Sequence, residues 1–457
     1  MKVKLAGKKI LVMGLGRFGG GGDAVRFAAG AGAHVVVTDQ AAADKLRDSI
    51  AQVSDLAGIE FHLGRHEAQD FATADLVIAN PAVRPDNEFL QIARRHGRTV
   101  TSQIGLFFEA CPARIIGITG ANGKSTTTAL TAHLLDKARP RKRPQGYGSV
   151  WLSGNIGDRP LLTILNRIDP CDLVVLEISS FQVEQLAEVR KAPHVALLTN
   201  LTPNHLDRYG TFEAYCTAKE GLFRFQPLDV HNPAISIFNA EDEIAQLWLR
   251  KYSGQSGRTC LQFRADDVSE EFRRVYALPG RANLSNLAAA RTIARCFGIT
   301  DRAIRDCLAQ FKALPHRLEL VAERHGVRWY NDSKATTPEG TMVALAAFEG
   351  PKILIAGGYD KHTPFDELGR RIASDAKAAI LMGQTAAGIA DAIAGADTAV
   401  RTKVEIIDSL EQAVEVANRL AEAGDVVLLS PACASYDMFE NYQQRGRLFA
   451  ELVQRLE

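Results

Sequence analysis

Residues 114–129 read Arg-Ile-Ile-Gly-Ile-Thr-Gly-Ala-Asn-Gly-Lys-Ser-Thr-Thr-Thr-Ala, and this stretch decides the fold. The apolar run Ile115–Ile118 predicts a buried strand, Gly120-Ala121-Asn122-Gly123 predicts a tight loop, and Lys124-Ser125-Thr126 opens a predicted helix. In such a unit the backbone N–H groups of the loop, the positive end of the helix dipole and the lysine ammonium bind phosphate together. The hydroxyl after the lysine can ligate Mg²⁺. We therefore predict a nucleotide-phosphate site here.

The loop is shorter than the common nucleotide loop. The pattern Gly-x-x-x-x-Gly-Lys requires a first glycine where this chain has Ile118. The form Thr-Gly-x-Asn-Gly-Lys-Ser-Thr argues against an ordinary kinase or GTPase. An ordinary glycine turn before a helix is the alternative interpretation, but Gly-Lys-Ser-Thr directly after an apolar strand is a specific combination and favours the phosphate site.

Composition limits the classes of protein. The chain has 457 residues, 46% of them hydrophobic, and a net charge of +1, so we expect about three domains and no overall field that attracts nucleic acid. We interpret the basic cluster Arg139-Pro-Arg-Lys-Arg143 as a solvated loop. No run approaches the ~18 apolar residues of a membrane span, the first residues lack an apolar signal core, and seven cysteines without Cys-x-x-Cys suit reduced thiols. The sequence therefore predicts a cytoplasmic protein without nucleic-acid or membrane partners.

A second glycine loop lies near the N-terminus. Ile10–Met13 predicts a strand, Gly14-Leu-Gly16-Arg17-Phe18-Gly19 follows it, and a helix through Ala24–Ala29 leads to a strand that ends at Asp39. This is the βαβ fingerprint of a dinucleotide site, with an acidic residue about 20 positions on. Taken alone it indicates NAD, but the same geometry can hold any nucleoside diphosphate, and the residues leave both open.

Polar residues follow two later predicted strands. Glu177 comes at the end of one strand, and His205 follows the strand that begins at Val195. A carboxylate at the carboxyl end of a parallel strand beside a phosphate loop is a common Mg²⁺ ligand. Lys219 lies in a predicted helix and by itself is interpreted as a solvated lysine. Asn283 and Asn286 share one helical face and either cap the helix or contact an adenine edge.

Predicted strands and helices alternate to the end of the chain. Four further strands are predicted as a parallel set: Val327–Tyr330, Lys352–Ala356, Ala378–Met382 and Val426–Leu429. We predict an α/β protein of three domains. Residues 1–104 form a Rossmann-like domain, 105–313 a central ATP-binding α/β domain with the phosphate loop, and 314–457 a second Rossmann-like domain.

The motifs of this chain resemble those of the Mur ligase family, and the match covers nearly the whole sequence. The matching motifs are Gly120–Thr126, Gly154-Asn155-Ile-Gly157, Glu177–Gln182, Asn204–Tyr209, His316-Arg317, Asn331–Thr336 and Leu429–Ser435. The last two are specific to the glutamate-adding branch, whereas the ATP loop is shared with folylpolyglutamate synthetases. The resemblance implies a monomeric enzyme that ligates D-glutamate to UDP-N-acetylmuramoyl-L-alanine through an acyl phosphate, with ATP and two Mg²⁺. This is a cytoplasmic step of peptidoglycan precursor synthesis.

The resemblance also implies a role for each matching residue. The residues that it implies for ATP are Gly120, Asn122, Gly123, Lys124, Ser125, Thr126, Asn286, Arg317 and Asp332. Those implied for the UDP-substrate are Gly14, Gly16, Arg17, Phe18, Asp39, Asn80, Asn155 and His205. Those implied for the metals are Ser125, then Glu177, His205 and a carbamylated Lys219; those implied for glutamate are Thr336, Lys361, Ser435 and Tyr442. The implied catalytic residues are Lys124, His205, Lys219 and Lys334.

Three alternative functions stay open. The first is the same reaction with L-glutamate, since Tyr436 and Tyr442 differ from the residues common near the glutamate site. The second is a folylpolyglutamate-type ligase, against which the N-terminal nucleotide unit and Ser430-Pro-Ala-Cys-Ala-Ser435 argue. The third is an NAD-dependent oxidoreductase with an accessory ATP domain. The run Gly19–Gly22 is richer in glycine than is usual in the family, so the uridine contacts are not defined by the resemblance.

Overall fold

The computed structural model describes residues 4–16, 19–139, 146–156, 159–397 and 402–456. In these residues the strands form three sheets, and the predicted three-domain α/β fold with Rossmann-like domains at both ends is confirmed. The chain divides into two compact units, Met1–Asp267 with Asn286–Cys307 and Val268–Ser285 with Leu308–Glu457. The first unit contains the first two sheets. The domain boundaries at 104 and 313 stay a prediction.

The first sheet is parallel and has the strand order β3-β2-β1-β4-β5. Its strands are β1 Lys9–Met13, β2 His34–Asp39, β3 Ile59–Leu63, β4 Leu76–Ala79 and β5 Thr99–Ser102. The helices around it are α1 Gly20–Gly30, α2 Arg47–Ala51, α3 Ala68–Thr73, α4 Glu88–Arg95 and α5 Gln103–Ala110. The central strands are continuous apolar runs because helices cover both faces of a parallel sheet.

Helix α1 begins four residues earlier than the predicted helix through Ala24–Ala29. Gly19 precedes it with φ 79°, a left-handed conformation that favours glycine, and Gly20, Gly21 and Gly22 form its first turn. A Cβ atom on Gly21 would lie 2.2 Å from the carbonyl oxygen of Leu15. Only glycine therefore allows α1 to pack this closely on the loop that follows β1.

The second sheet is also parallel, with the order β11-β10-β9-β6-β8-β7. Its strands are β6 Arg114–Thr119, β7 Val150–Gly154, β8 Leu173–Glu177, β9 Val195–Leu198, β10 Ala234–Asn239 and β11 Arg258–Phe263. Its helices are α6 Lys124–Lys137, α7 Ser180–Glu188, α8 Leu206–Tyr209, α9 Phe212–Arg224 and α10 Glu243–Tyr252. Because β6 lies between β8 and β9, the loop after β6 reaches the ends of both neighbours. A hydrophobic cluster that includes Val12 of β1 and Val174 of β8 continues from the first sheet into the second.

The third sheet has the order β12-β13-β17-β14-β15-β16. Its strands are β12 Glu319–Arg324, β13 Val327–Asn331, β14 Lys352–Ala356, β15 Ala378–Leu381, β16 Lys403–Ile406 and β17 Val426–Leu429. Helices α11 Glu270–Arg273, α12 Arg281–Cys296 and α13 Asp301–Leu308 precede it, and its own helices are α14 Pro338–Leu345, α15 Asp366–Asp375, α16 Ala386–Ala394, α17 Leu410–Leu420 and α18 Tyr442–Gln454.

The four strands that were predicted as a parallel set, β13, β14, β15 and β17, pair in parallel, and an additional strand at one edge of the sheet does not. Strand β12 pairs antiparallel with β13, whereas the other strand pairs of this sheet are parallel. The two-residue turn His325-Gly326 joins β12 to β13, and both residues have positive φ, 51° and 76°. Such a turn matches the twist of the flanking strands and forms a tight hairpin.

The structure describes the state of the cysteines and the apolar character of the helices. All seven cysteines are free, and Cys171 is exposed while the others are buried or half-buried. Within the described residues, no helix has both the length and the apolar character that crossing a membrane requires. The cellular location and the monomeric state stay predictions. Most of the basic cluster at 139–143 lies outside the described residues.

Candidate active site

The phosphate loop is built against the end of β9. Gly120 has φ 149°, and a Cβ atom there would lie 1.9 Å from Thr199 Oγ1. The carbonyl oxygen of Asn200 accepts a hydrogen bond from Ala121 N at 2.8 Å, and its Oδ1 accepts one from Asn122 N at 2.9 Å. Asn200 is a residue of this site that sequence analysis missed. Its position at the end of the strand predicted from Val195 is the signal that could have identified it.

Helix α6 begins at the end of this loop. Gly123 precedes it with φ 79°, and Lys124 Nζ reaches back to donate to the carbonyl oxygen of Ala121 at 2.7 Å. The lysine ammonium and the N-terminus of the helix therefore lie at one place. This is the arrangement that stabilises phosphate anions.

Asn286 packs on the start of α6. Its Oδ1 accepts a hydrogen bond from Thr127 Oγ1 at 3.1 Å, and a Cβ atom on Gly123 would lie 2.3 Å from it. Asn283 differs, because its Nδ2 donates to the carbonyl oxygen of Pro279 at 2.8 Å. Of the two asparagines that share a helical face, the structure brings Asn286 to the phosphate loop.

A buried carboxylate lies beneath the phosphate loop. Glu177, which is 2% exposed, accepts from Ser125 Oγ at 2.5 Å and from Asn155 Nδ2 at 3.1 Å. The two contacts use different oxygens of the carboxylate, Oε2 and Oε1. The side-chain oxygens of Ser125 and Glu177 form an adjacent pair of hard donors, which is the chemistry that Mg²⁺ prefers.

Lys219 is buried, and its interpretation as a solvated lysine is wrong. Its side chain is 1% exposed, and Nζ donates to Thr119 Oγ1 at 3.2 Å. Burial lowers the pKa of Lys219 well below its usual value, and the positive charge of Lys124 lowers it further, while Glu177 opposes this shift. The neutral amine of Lys219 is therefore favoured more than that of a solvent-exposed lysine.

The helix pattern around Lys219 contained a signal for this burial. Tyr215, Lys219 and Phe223 follow each other at intervals of four on one face of α9, and all three are buried. A lysine in the middle of an apolar stripe faces the interior.

His205 lies at the surface beside these groups. It precedes α8 with φ 52°, and its ring lies 5.0 Å from that of Phe181. Partial desolvation lowers the pKa of His205, Asp207 opposes this, and the charges of Lys219 and Lys124 add to it. In the part of the chain that is described, no three His, Cys, Asp or Glu side chains form a ready metal cluster. A metal at this site would therefore need ligands from the substrate or from a modified side chain.

The N-terminal glycine loop forms a separate site at the edge of the first sheet. Gly16 N donates to Asp39 Oδ2 at 3.2 Å, and Asn80 Nδ2 donates to the carbonyl oxygen of Gly14 at 3.3 Å. Four predicted substrate residues therefore meet where β1, β2 and β4 end. Asn155 instead lies beside Glu177 at the second sheet, and Arg17 and Phe18 lie outside the described residues.

One of the two predicted nucleotide residues of the second unit, Asp332, is a buried acid. Asp332 accepts from Ser430 Oγ at 2.8 Å and from Leu318 N at 3.1 Å. Burial raises its pKa to about 7, and the neighbouring Arg317 opposes the shift. This places an uncommonly basic carboxylate at the carboxyl end of β13.

Three of the predicted glutamate residues, Thr336, Lys361 and Ser435, lie on loops at one edge of the third sheet, and Tyr442 begins α18. Tyr359 N donates to the carbonyl oxygen of Ala434 at 2.9 Å, which joins the loop that carries Lys361 to the one that carries Ser435. Lys334 Nζ lies 5.0 Å from the centre of the Tyr442 ring, and the backbone N–H of Lys334 donates to His316. Thr336 follows in the same loop and is half-buried.

Arg445 is a second residue that sequence analysis missed. It is fully buried and donates to Ser333 Oγ at 3.0 Å, to the Ser333 carbonyl at 2.9 Å and to the Cys433 carbonyl at 3.2 Å. It therefore joins the motif after β13 to the motif after β17. Phe449 and Val453, four and eight positions later on α18, are also buried, and this stripe was the available signal.

Comparison with known families gives matches along most of the chain. Residues 8–102 match the Mur ligase MurD-like N-terminal domain, residues 118–294 the Mur ligase middle domain, and residues 316–433 the Mur ligase glutamate ligase domain. A UDP-N-acetylmuramoylalanine--D-glutamate ligase of Roseiflexus sp. (strain RS-1) is 39% identical and covers 99% of both chains. A protein of the same name from Acetivibrio thermocellus is 36% identical, over 100% of this chain and 98% of its own.

Solved structures support the fold. A UDP-N-acetylmuramate-alanine ligase from Thermotoga maritima has a TM-score of 0.55 at 19% identity and covers 98% of this chain and 99% of its own. A pseudomurein peptide ligase type C from Methanothermus fervidus has a TM-score of 0.55 at 16% identity, with 98% and 100% covered. At these identities the similarity extends to the fold alone.

Proposed function

The chain belongs to the Mur ligase family, and from this premise we propose that it joins D-glutamate to UDP-N-acetylmuramoyl-L-alanine while ATP is converted to ADP and phosphate. The names of full-length relatives at 36–39% identity support this reaction. The observation that carries the proposal is the meeting of the phosphate loop, Glu177 and Lys219 at the carboxyl ends of β6 and β8. The reaction belongs to peptidoglycan precursor synthesis and cell-wall biogenesis.

The ligation needs an activated carboxylate. In the first step a carboxylate oxygen of the alanine attacks the γ-phosphorus of ATP, the bond to the β–γ bridging oxygen breaks, and ADP leaves. In the second step the glutamate amine attacks the carbonyl carbon of the acyl phosphate and loses a proton, and phosphate leaves from the tetrahedral intermediate. Both steps gather negative charge at one place, so fixed cations and N–H donors supply most of the catalysis.

The phosphate loop is the site for the ATP phosphates in this proposal. Gly120, Asn122 and Gly123 present the backbone, Lys124 supplies a cation, and Ser125 and Thr126 open the helix. Asn286, held against Gly123 and Thr127, lies where it can contact the nucleotide. Arg317 and Asp332 of the second unit would complete the nucleotide contacts, and Lys334 would act near the reacting groups.

The donor set beneath the loop fits Mg²⁺. Ser125 Oγ and the Glu177 carboxylate are neighbouring oxygens, and phosphate oxygens and water are the usual remaining ligands of this ion. Bound Mg²⁺ would neutralise charge on the phosphate oxygens. We assign Ser125 to a first ion, and Glu177, His205 and Lys219 to a second.

We propose that Lys219 carries a carbamate in the active enzyme. Burial lowers the pKa of Lys219 and so increases the share of neutral, nucleophilic amine, which is the form that combines with CO₂. Addition of the nitrogen to CO₂ with loss of one proton converts the side chain from a cation into an anion with two oxygens. The positive charge of the nearby Lys124 would stabilise that anion.

The glycine loop of the first sheet would hold the UDP part of the substrate. Asp39 accepts a hydrogen bond from Gly16 N and is the last residue of β2, where an acidic residue commonly binds ribose hydroxyls. Asn80 and Gly14 border the same edge. Asn155 and His205 would contact the muramoyl–alanine end. Thr336, Lys361, Ser435 and Tyr442 would hold the glutamate carboxylates.

Phosphate release from ATP tests the proposed function. The purified full-length protein is assayed with UDP-N-acetylmuramoyl-L-alanine and either D- or L-glutamate, and each component is omitted in turn. The proposal expects release that requires both substrates and is faster with D-glutamate. Release that needs L-glutamate, or a folate in place of the UDP-substrate, would instead establish one of the alternative ligases.

A further inference from the structure

A buried carboxylate on α1 joins the first sheet's domain to the second. Asp23 lies in the first turn of α1 and is 8% exposed. Its Oδ2 accepts hydrogen bonds from Leu161 N at 3.0 Å, Leu162 N at 2.7 Å and Gln103 Nε2 at 2.6 Å. Its Oδ1 accepts two more, from Thr163 N at 3.1 Å and from Thr163 Oγ1 at 2.7 Å. Four of these five donors belong to one turn of the central domain.

These hydrogen-bond donors carry no formal positive charge. Converging N–H groups of one turn stabilise an anion without a salt bridge, as in an anion-binding nest. The pairing is also mutual, because removal of the carboxylate would leave buried N–H groups without an acceptor. The contact therefore defines both the position of the turn and its distance from α1.

Asp23 is also joined to the end of the N-terminal nucleotide loop. Asp23 N donates to the carbonyl oxygen of Gly19 at 3.0 Å. Gly21, which packs closely on Leu15, lies in the same turn. The carboxylate is thus fixed to the helix start that follows Gly14 and Gly16.

On the other side, the contact continues to the carboxylate beneath the phosphate loop. The carbonyl oxygen of Pro160, next to Leu161, accepts from the buried Ser153 Oγ at 2.7 Å. Two residues after Ser153, Asn155 donates through Nδ2 to Glu177 Oε1 at 3.1 Å and through N to the Glu177 carbonyl at 2.9 Å. Hydrogen bonds linked by short backbone segments therefore connect α1 to Glu177.

We propose that Asp23 is a positioning residue that sets the spacing between the N-terminal nucleotide loop and the Asn155–Glu177 pair. The ligand that needs this spacing is a nucleoside diphosphate whose far end carries the reacting carboxylate. The inference rests on the proposed function for the identity of that ligand. UDP alone occupies one end and does not need the spacing.

Two variants test this role in the full-length protein. Asp23→Ala removes both acceptor oxygens, and Asp23→Asn keeps one. We expect Asp23→Ala to raise the KM for UDP-N-acetylmuramoyl-L-alanine at least about tenfold, the effect of one lost charge-assisted hydrogen bond. The Kd for UDP and the KM for ATP should change little, and Asp23→Asn should give an intermediate KM.

Asp70→Asn is the matched control. Asp70 is a similarly buried carboxylate of the same domain, 5% exposed, but its partner His62 at 2.6 Å belongs to that domain. In this control, the ratio of the KM for UDP-N-acetylmuramoyl-L-alanine to the Kd for UDP should stay unchanged. If Asp23→Ala weakens the binding of UDP and of the full substrate equally, as a general loss of structure would, the positioning role is overturned.

Amide hydrogen exchange gives a reading that needs no substrate. We expect the N–H groups of Leu161, Leu162 and Thr163 to exchange faster in Asp23→Ala than in the wild type, whereas Asp70→Asn leaves them unchanged. A wild type that ligates no glutamate would overturn the proposed function, and the exchange result would then decide the inference. Unchanged exchange at these three residues overturns it in either case.

Discussion

Ser125 and Glu177, 52 residues apart in the chain, are joined by a hydrogen bond of 2.5 Å in which the hydroxyl donates to Oε2. The bond connects the first turn of α6 to the end of β8. It also places the two side-chain oxygens that suit Mg²⁺ directly beside the phosphate loop. The metal dependence of the reaction should therefore depend on Ser125 as well as on the acid.

We expect Ser125→Ala to raise the Mg²⁺ concentration for half-maximal activity by about tenfold or more, because the ion loses one oxygen ligand. Ser125→Thr keeps the hydroxyl and is the matched control. The measurement is phosphate release at saturating ATP over a Mg²⁺ titration. An unchanged Mg²⁺ dependence in Ser125→Ala would exclude Ser125 as a ligand.

Lys124→Ala should lower turnover by at least ~10³-fold, because the charge of the transferring phosphoryl group loses its main protein cation. Lys137→Ala removes an exposed lysine at the other end of the same helix and should leave turnover unchanged. Turnover of both purified variants is compared after circular dichroism shows that they are folded. A near-normal rate in Lys124→Ala would contradict the assignment of the phosphate loop.

The N-terminal domain should bind UDP-sugars and not NAD. In the wild type, calorimetric titration should show saturable binding of the UDP-substrate and none of NAD. Asp39→Asn should weaken binding of the UDP-substrate, because the charged acceptor beside Gly16 is lost. Asp55→Asn, which changes an exposed carboxylate, should leave this binding unchanged. Micromolar NAD binding without UDP-sugar binding would restore the oxidoreductase alternative.

Sequence patterns predicted the strands and loops that position this site because the signals are local. The apolar run before Gly120 becomes β6, and Glu177 ends β8 as predicted. Glycines mark the turns because their backbone conformations exclude other residues, as at Gly120 with φ 149°. A parallel sheet then brings residues that follow separate strands to one edge.

Residues whose role depends on tertiary packing could not be predicted in this way. Lys219, Asp23 and Arg445 are charged side chains, and charge alone indicates a surface position, yet all three are buried with specific partners. Each has a partner at least 100 residues away in the chain: Thr119 for Lys219, Thr163 for Asp23 and Ser333 for Arg445. The β12 hairpin was also missed, because its strand is half-exposed and its turn lacks the Asn-Gly signal.

Acid should destabilise the second unit through His316. Burial lowers the pKa of His316. Its Nδ1 lies 3.0 Å from Asn331 Nδ2, and since Asn331 Oδ1 accepts from Ser333 N, the amide nitrogen donates and the imidazole accepts as a neutral ring. A histidine with a lowered folded pKa contributes stability above its unfolded pKa of about 6.5 and loses it as the pH falls from there through the folded pKa.

The test compares thermal unfolding between about pH 8 and pH 5.5, which spans the ordinary histidine range. The wild type should lose more of its Tm over this interval than His316→Gln, because the variant lacks the titrating ring. His231→Gln changes an exposed histidine and should follow the wild type. Equal pH dependence in wild type and His316→Gln would remove His316 as the cause.

Carbamylation of Lys219 makes the most distinctive prediction. A free ammonium about 4 Å from one positive charge is destabilised by about 4 kcal/mol at an effective dielectric of about 20, and Mg²⁺ carries two charges. A carbamate removes this repulsion and supplies two oxygen ligands. Without it, Glu177 and the neutral His205 would be too few protein ligands for a hard cation. Lys219→Ala should therefore abolish ligation, while Arg224→Ala, an exposed position of the same helix, should retain it.

Chemical rescue separates the carbamate from a simple structural lysine. Millimolar acetate or another short acid should restore part of the activity of Lys219→Ala, because the carboxylate can occupy the space of the missing carbamate and supply its oxygens. The same acids should leave Lys124→Ala inactive, since there a cation is missing. Mass spectrometry of the wild type after trapping with an alkylating reagent should show Lys219 as the alkyl carbamate, with the mass of CO₂ and of the alkyl group added. Full activity of Lys219→Ala, or a crystal structure with a bare lysine beside ATP and two Mg²⁺, would end the proposal.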